Sequence, residues 1–173
     1  VRVVGVDPGS GGALAFLTLD STGYPVGLEC VDIPTCKDGR RTKVDAWALA
    51  RELDARCQPA DEPLAAVIIE QGGVRPQNGR IGAAAFWLGL GEVRGVFAAH
   101  FVRLETVSPA GWKAAMRVAP GVGKEASRFR ASSIFPRWSE QWALAKQHGR
   151  AEAALIALHG ANRLLAGKVQ NIA

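Results

Sequence analysis

The stretch Val1-Arg-Val-Val-Gly-Val-Asp-Pro-Gly-Ser-Gly-Gly-Ala-Leu-Ala-Phe-Leu17 constrains the fold of this chain more than any other. Val1 to Val6 is β-branched apart from Arg2 and Gly5, which suits a strand packed on both faces, and it runs straight into Asp7. Pro8-Gly-Ser-Gly-Gly12 then forces a tight reversal into a second apolar run. An aspartate at the end of a central strand, followed by glycines that let a backbone or a phosphate come close, is a common way to hold a cation or a phosphate. A β-hairpin whose Asp7 only starts an Asx turn fits the same residues, so the rest of the chain must decide.

Ala13 to Leu19 and Gly27 to Ile33 read as two more strands joined through Asp20-Ser-Thr-Gly23, giving an antiparallel meander that Pro34 ends. Thr35 to Arg41 is a polar, basic loop by composition. Thr42-Lys-Val-Asp45 has capping-box spacing ahead of a helix to about Cys57, with Val44, Trp47, Leu49, Ala50 and Leu53 as its apolar, core-facing positions. After a turn over 58–63, Leu64 to Glu70 is a second apolar run that ends in an acid. A strand that follows a helix and is apolar on both faces is expected to lie parallel to the first, so Asp7 and Glu70 share one edge of the sheet. Ligands gather at that edge in open α/β sheets. Two acids there repel unless a cation or a proton lies between them. Glu70 as a backbone cap for the next element is the plainer alternative.

Residues 71–80 form a loop carrying Arg75 and Arg80, and Ile81 to Ala99 reads as a long helix. Its glycines, Gly82, Gly89, Gly91 and Gly95, lower helix propensity and are expected to allow close packing against the sheet or a second subunit. Phe101 to Val107 alternates as an outer strand, and Ser108 followed by Pro109 opens a short helix as its N-cap. Lys124 starts another helix to about Phe135, stopped by Pro136, and the last helix begins near His148 and runs to about Leu165. His148 and Glu152 are four apart, about 40° around a helix, so they share a face. An ordinary helical pair has the same spacing.

The net charge of +5 is unevenly spread. Nine Lys or Arg stand against three acids between Arg103 and Arg150, a local +6, while the rest of the chain is −1. A positive excess confined to one segment is the pattern of a polyanion-binding face, and nucleic acid becomes the leading partner. Cys30, Cys36 and Cys57 have no paired or metal-type spacing and read as reduced thiols of an intracellular protein. No apolar run reaches the length of a membrane span, and no signal-peptide pattern is present, so a cytoplasmic or other DNA-containing compartment is expected, an organelle included if a leader was removed.

Four segments match one family in order: Gly5-Val-Asp-Pro-Gly9, Ile69-Glu-Gln71, Ser108-Pro-Ala-Gly-Trp-Lys113 and His148-Gly-Arg-Ala-Glu152. The sequence resembles the RuvC-type Holliday junction resolvases of the ribonuclease-H-like superfamily, over nearly the whole chain, with a last motif closest to the phage and chloroplast branch. The resemblance implies a single domain over residues 1–173, an α/β fold with a mixed sheet of about five strands (a three-stranded antiparallel meander plus parallel strands) flanked by helices, and a homodimer that cuts four-way DNA junctions. It also implies Asp7, Glu70, His148 and Glu152 as ligands for two Mg²⁺ or Mn²⁺, with Lys124 as a further catalytic group and Lys113 and Lys124 on DNA; the basic loop and the positive segment add Arg75, Arg80, Arg128, Arg130 and Arg150 as expected DNA contacts. Two departures stand out. Bacterial members carry two acids three apart on the last helix, where this chain has Gly149 before Glu152, and they place an aromatic shortly after the fourth-strand glutamate, where this chain has Gly72-Gly-Val74.

Phosphodiester hydrolysis needs an activated water and relief of charge on the leaving oxygen, which two divalent ions about 4 Å apart supply together. Hard oxygen ligands suit Mg²⁺, and Asp7 is the expected bridging ligand. His148 fits either a second-metal ligand or a partner for the attacking water, and Lys124 suits developing phosphate charge. A general or other branched-DNA nuclease of the same fold, an actin- or sugar-kinase-like ATPase using Asp7-Pro-Gly-Ser-Gly as a phosphate turn, and a catalytically inert DNA-binding module are the competing readings. The ATPase reading requires a second nucleotide-binding half for which 173 residues leave little room.

Overall fold

The computed structural model describes residues 1–57, 64–73, 79–100, 103–121 and 123–170; the turn expected over 58–63, as well as Val74, Arg75 and Phe101, lies outside the described residues. In chain order the elements are β1 (Arg2–Asp7), β2 (Ala13–Leu19), β3 (Pro25–Asp32), β4 (Thr35–Asp38), β5 (Arg41–Val44), α1 (Ala46–Cys57), β6 (Leu64–Glu70), α2 (Gly79–Ala99), β7 (Leu104–Val107), α3 (Pro109–Ala115), α4 (Lys124–Ile134) and α5 (His148–Gln170). Two 3₁₀ segments, Pro136–Trp142 and Ala145–Gln147, lead into α5. The main sheet has the order β3-β2-β1-β6-β7, with β1 to β3 antiparallel and β6 and β7 parallel to β1. This is the mixed five-stranded α/β sheet expected from the sequence.

Side-chain alternation along β1 and β6 divides the core in two. Val3, Ala66 and Ile68 face a cluster with Trp112, Phe135, Trp142 and the alanine-rich side of α5, whereas Val4, Val6, Val67 and Ile69 face Leu49, Leu53, Leu90, Val93 and Phe97 of α1 and α2. β1 is therefore covered on both sides, which explains its continuous β-branched composition. Each fully buried valine there contributes about 1.5–3 kcal/mol of transfer free energy.

The contact of α5 with β1 is set by a missing side chain. A Cβ at position 5 would collide with the backbone carbonyl oxygen of Ala153 and the backbone nitrogen of Ala157. Further along the helix, Gly160 likewise makes room, in its case for the side chain of Ile68 on β6. At position 5 glycine is thus required by a backbone-to-backbone approach.

Four expectations are corrected. Thr35 to Arg41 is not a loop: together with 42–44 it forms the β4–β5 hairpin, whose two-residue connection has Gly39 at φ 59°. A glycine at the first position of such a connection matches strand twist, and here it outweighs the charged composition. Asp45, not Thr42, caps α1, accepting from the backbone N–H of Ala48 at 3.0 Å. Trp47 is 77% exposed, because the buried stripe of α1 runs through Leu49 and Leu53, on another face of the helix. Finally, α2 is long and apolar enough to cross a membrane, with a mean hydropathy of 1.3, although Glu92, Arg94 and its internal glycines break up the apolar run; here it lies across the sheet through Gly89, Leu90, Val93 and Phe97. Of its glycines, Gly89 lies where a Cβ would stand 3.3 Å from Val44, while Gly91 and Gly95 face open space.

Gly5→Ala should lower the unfolding free energy by about 1–3 kcal/mol or more, because a backbone neighbour cannot step aside as a side chain can. Gly95→Ala should raise helix stability by up to about 1 kcal/mol. Denaturant unfolding of the two variants checks both signs; an unperturbed Gly5→Ala protein would mean that α5 stands further from β1.

Candidate active site

Alternation puts Asp7 and Glu70 on the α5 side of the sheet, and the parallel register pairing Val6 with Ile69 brings them to adjacent strand ends. Glu70 is held there by Trp112, whose indole N–H donates to Oε2 at 2.6 Å. Trp112 is fully buried and starts from the short helix α3, where Ser108 caps the N-terminus by accepting from Gly111 N–H at 3.1 Å. The sequence Ser-Pro-Ala-Gly-Trp-Lys therefore contributes an orienting donor as well as a lysine.

Above Asp7 lies the first turn of α5. A Cβ at Gly149 would stand 3.1 Å from Asp7 Oδ2 and 3.0 Å from the carbonyl oxygen of Gly11. One turn on, Glu152 Oε1 accepts from Ser127 Oγ at 2.9 Å and pairs with Lys113 Nζ at 3.2 Å. Ser127, 1% exposed on α4, is a candidate site residue that the sequence does not single out; its only trace there is a hydroxyl on the helix face one turn after Lys124. Glu70, Lys113, Lys124, Ser127, His148 and Glu152 line one cleft of about 690 Å³. His148 stands at its rim, with Nδ1 3.3 Å from the Ala145 carbonyl oxygen. Lys124 follows Gly121 and Gly123, both at positive φ, which turn the chain into α4.

Burial, and next the neighbouring Glu152 and Glu70, push the Asp7 carboxyl well above its usual range, while Lys113 and Lys124 pull it back. The three acids thus share one electrostatic site, although no three His, Cys, Asp or Glu side chains among the described residues are already gathered in metal-binding geometry. Their donor chemistry fits a hard divalent cation: three carboxylates on rigid elements, like charges that repel one another, and one imidazole at the edge.

The arginines assigned to DNA divide. Arg80 is exposed and makes no hydrogen bond or ion pair with another described residue. Arg128 is instead a strut: Nε donates to the Trp142 carbonyl at 2.9 Å, Nη2 to that of Ala143, and Nη1 to both carboxylate oxygens of Glu125. Arg150 makes a bidentate pair with Asp32 at 2.7 and 2.8 Å and reaches the Gln141 carbonyl, tying the first turn of α5 to β3. Arg130 Nε donates to the Met116 carbonyl at 2.5 Å. Much of the basic excess of this segment is therefore spent on holding α4, the 3₁₀ turns and α5 together. After Glu70, where the bacterial pattern has its aromatic, Gly72 makes room for the ring of Phe86 from α2.

An acid with a raised folded pKa stabilises the fold when protonated; that contribution is complete below its unfolded value and is lost as pH rises through the folded one. In chelator at about pH 7–8, Asp7→Asn should therefore unfold at a higher temperature than the parent, and the two should converge towards acid pH. Mn²⁺ or Mg²⁺ should raise the melting temperature of the parent and leave Asp7→Asn unmoved. A lower melting temperature for Asp7→Asn at about pH 8 would contradict the shared electrostatic site.

No protein-family model matches the sequence. No curated protein matches it either. Among solved structures, RuvC of Thermus thermophilus superposes with a TM-score of 0.63 at 22% identity, over 96% of this chain and 97% of that one. T. thermophilus RuvC in complex with a Holliday junction substrate superposes with a TM-score of 0.60 at 19% identity, again over 96% and 97%. At these identities the likeness is one of architecture, and the chain has a RuvC-type, ribonuclease-H-like fold.

Proposed function

We propose that the chain is a structure-selective endodeoxyribonuclease that cuts four-way DNA junctions with divalent metal, as a homodimer. The observation that carries this reading is the convergence of Asp7, Glu70 and Glu152 from β1, β6 and α5 on one sheet edge beside Lys113 and Lys124. A RuvC-type fold with a neighbour solved on a Holliday junction substrate supports the substrate class.

In this reading Asp7, Glu70 and Glu152 hold Mg²⁺ or Mn²⁺, with His148 as the fourth candidate. When bound, the ions supply an activated water and relieve charge on the leaving oxygen. Trp112 and Ser127 orient Glu70 and Glu152 by donating hydrogen bonds to them, the outer support that ligating carboxylates commonly have. Lys124 stands free of ion pairs among the described residues and offers its charge to the phosphate. Opposed cuts in one encounter need two sites, and the open row Trp87, Gly91 and Gly95 on α2 suits a symmetric helix contact. One observation favours an inert DNA-binding module instead: Glu152 Oε1 is already taken by Lys113 and Ser127, and position 149 has no carboxylate.

Labelled four-way junction and linear duplex of the same sequence, titrated with Mg²⁺ and Mn²⁺, test the reading. Cleavage should favour the junction and vanish in Asp7→Asn and Glu152→Gln, which should still bind junction in chelator. Ser127→Ala and Trp112→Phe should lose roughly 10- to 100-fold in activity. His148→Ala should be milder in Mn²⁺ or shifted in metal preference. Gly95→Leu should weaken the dimer in sedimentation. Retained cleavage in both acid variants overturns the metal assignment; equal nicking of duplex and junction by a monomer leaves a general nuclease; binding without cleavage at any metal concentration leaves the inert module.

A further inference from the structure

A second groove lies on the other face of the sheet, around the corner of the Asp7–Gly12 turn. It has a volume of about 510 Å³ and runs between the β4–β5 hairpin and the first half of α2, with Gly9 and Ser10 at one end. Its two walls differ in chemistry. The hairpin wall carries Arg41 and Lys43 against Asp38, all three exposed, and Arg80 adds a further positive charge at the start of α2. Lys43 pairs with Asp38 at 3.4 Å, whereas Arg41, like Arg80 at the start of α2, has no partner among the described residues. The α2 wall is apolar and open, with Ile81 and Leu88 exposed on either side of Ala84 and Ala85. Within the groove, Glu92 Oε2 is shielded from solvent and has no hydrogen-bond partner among the described residues.

An open apolar wall with the unpaired guanidiniums of Arg41 and Arg80, the ion-paired Lys43 and a shielded carboxylate oxygen in one groove is the chemistry of a nucleotide: a flat base against carbon, a phosphate against guanidinium and ammonium, and an exocyclic amino group for a carboxylate. The groove shares chain segments with the candidate active site: Gly9 and Ser10, which line it, follow Asp7 by two and three residues, and Phe86, which also lines it, lies against Gly72 just after Glu70. We infer that this groove receives an unpaired nucleotide of the DNA that lies across the candidate active site, its base on Ala84, Ala85 and Leu88, its phosphate on Arg41, Lys43 and Arg80, and a base amino group on Glu92. The inference rests on the nuclease reading for its ligand. It assigns to the hairpin a role that the charge count of 103–150 overlooks.

The test measures binding of the whole chain in chelator, so that cleavage does not enter, to a duplex with a short single-stranded gap and to the same duplex fully paired. Ala85→Trp, which fills the groove, should weaken binding to the gapped duplex roughly 5- to 100-fold, the range for one lost base contact, and change the paired duplex by less than about twofold. Arg41→Ala with Lys43→Ala, both on the exposed hairpin and so without consequence for folding, should reduce the log–log salt slope on gapped DNA by about two. 2-Aminopurine placed in the gap should change fluorescence on binding the parent and not Ala85→Trp. With Glu92→Gln, the preference for cytosine over thymine in the gap should narrow. Equal weakening of both duplexes by Ala85→Trp, or an unchanged salt slope in the hairpin variant, overturns the pocket. So does a change in sedimentation without a change in DNA binding, which would make the groove a contact for a second copy. If the parent binds no DNA at all, the nuclease reading itself falls; if it binds and cleaves junctions while the groove variants are silent, only the pocket falls.

Discussion

The absence of a side chain at Gly5 fixes the geometry on which everything else depends. Because nothing separates β1 from α5, helix backbone rests directly on strand backbone at Ala153 and Ala157. The first turn of the helix is thereby brought down onto the end of the strand, so that Gly149 meets Asp7 and Glu152 comes within electrostatic reach of it. The acid cluster is in this sense a by-product of close packing a short way along the strand from it.

The same closeness explains how the site is supported. Three carboxylates crowded at a sheet edge repel, and the chain meets that repulsion with Lys113 and Lys124 and with neutral donors, Ser127 on Glu152 and Trp112 on Glu70. The donors come from α3 and α4, which pack beside α5, and the arginine struts Arg128 and Arg150 lock the neighbouring turns and helices through backbone carbonyls and Asp32. Position 149 is where a fourth carboxylate would stand in the bacterial pattern, and here it lies so near Asp7 and Gly11 that glycine is the natural occupant. His148, next to it, faces the cleft from the rim.

Much of this was legible in the sequence because it is carried by local pattern. Two apolar runs each ending in an acid specified parallel neighbours and, through the period of two, a shared face for Asp7 and Glu70. The cap at Ser108 and the stop at Pro136 were equally local. What was not legible depended on partners far along the chain. Trp47 has the apolar character of a core residue, and only the docking of α1 through Leu49 and Leu53 turns it outward. Arg128 and Arg150 add to the same basic count as Lys124, yet their guanidiniums are consumed by carbonyls and Asp32. Ser127 and Trp112 gained their roles from residues 25 and 42 positions away, a relation no spacing rule expresses. The β4–β5 hairpin was hidden because its charges outweighed a single glycine.

The distribution of cysteines gives the hairpin a further use. Cys30 is sealed under α5, with burial pushing its thiol up to about 12, and Cys57 is raised in the same direction. Cys36 sits half-buried on β4 itself, on the strand paired with Arg41 and Lys43. Thiol-directed chemistry near neutral pH requires a thiolate and access, so it discriminates against Cys30. With Cys57 replaced by serine, one natural position remains for a spectroscopic label, already placed on the only two-stranded ribbon described outside the main sheet.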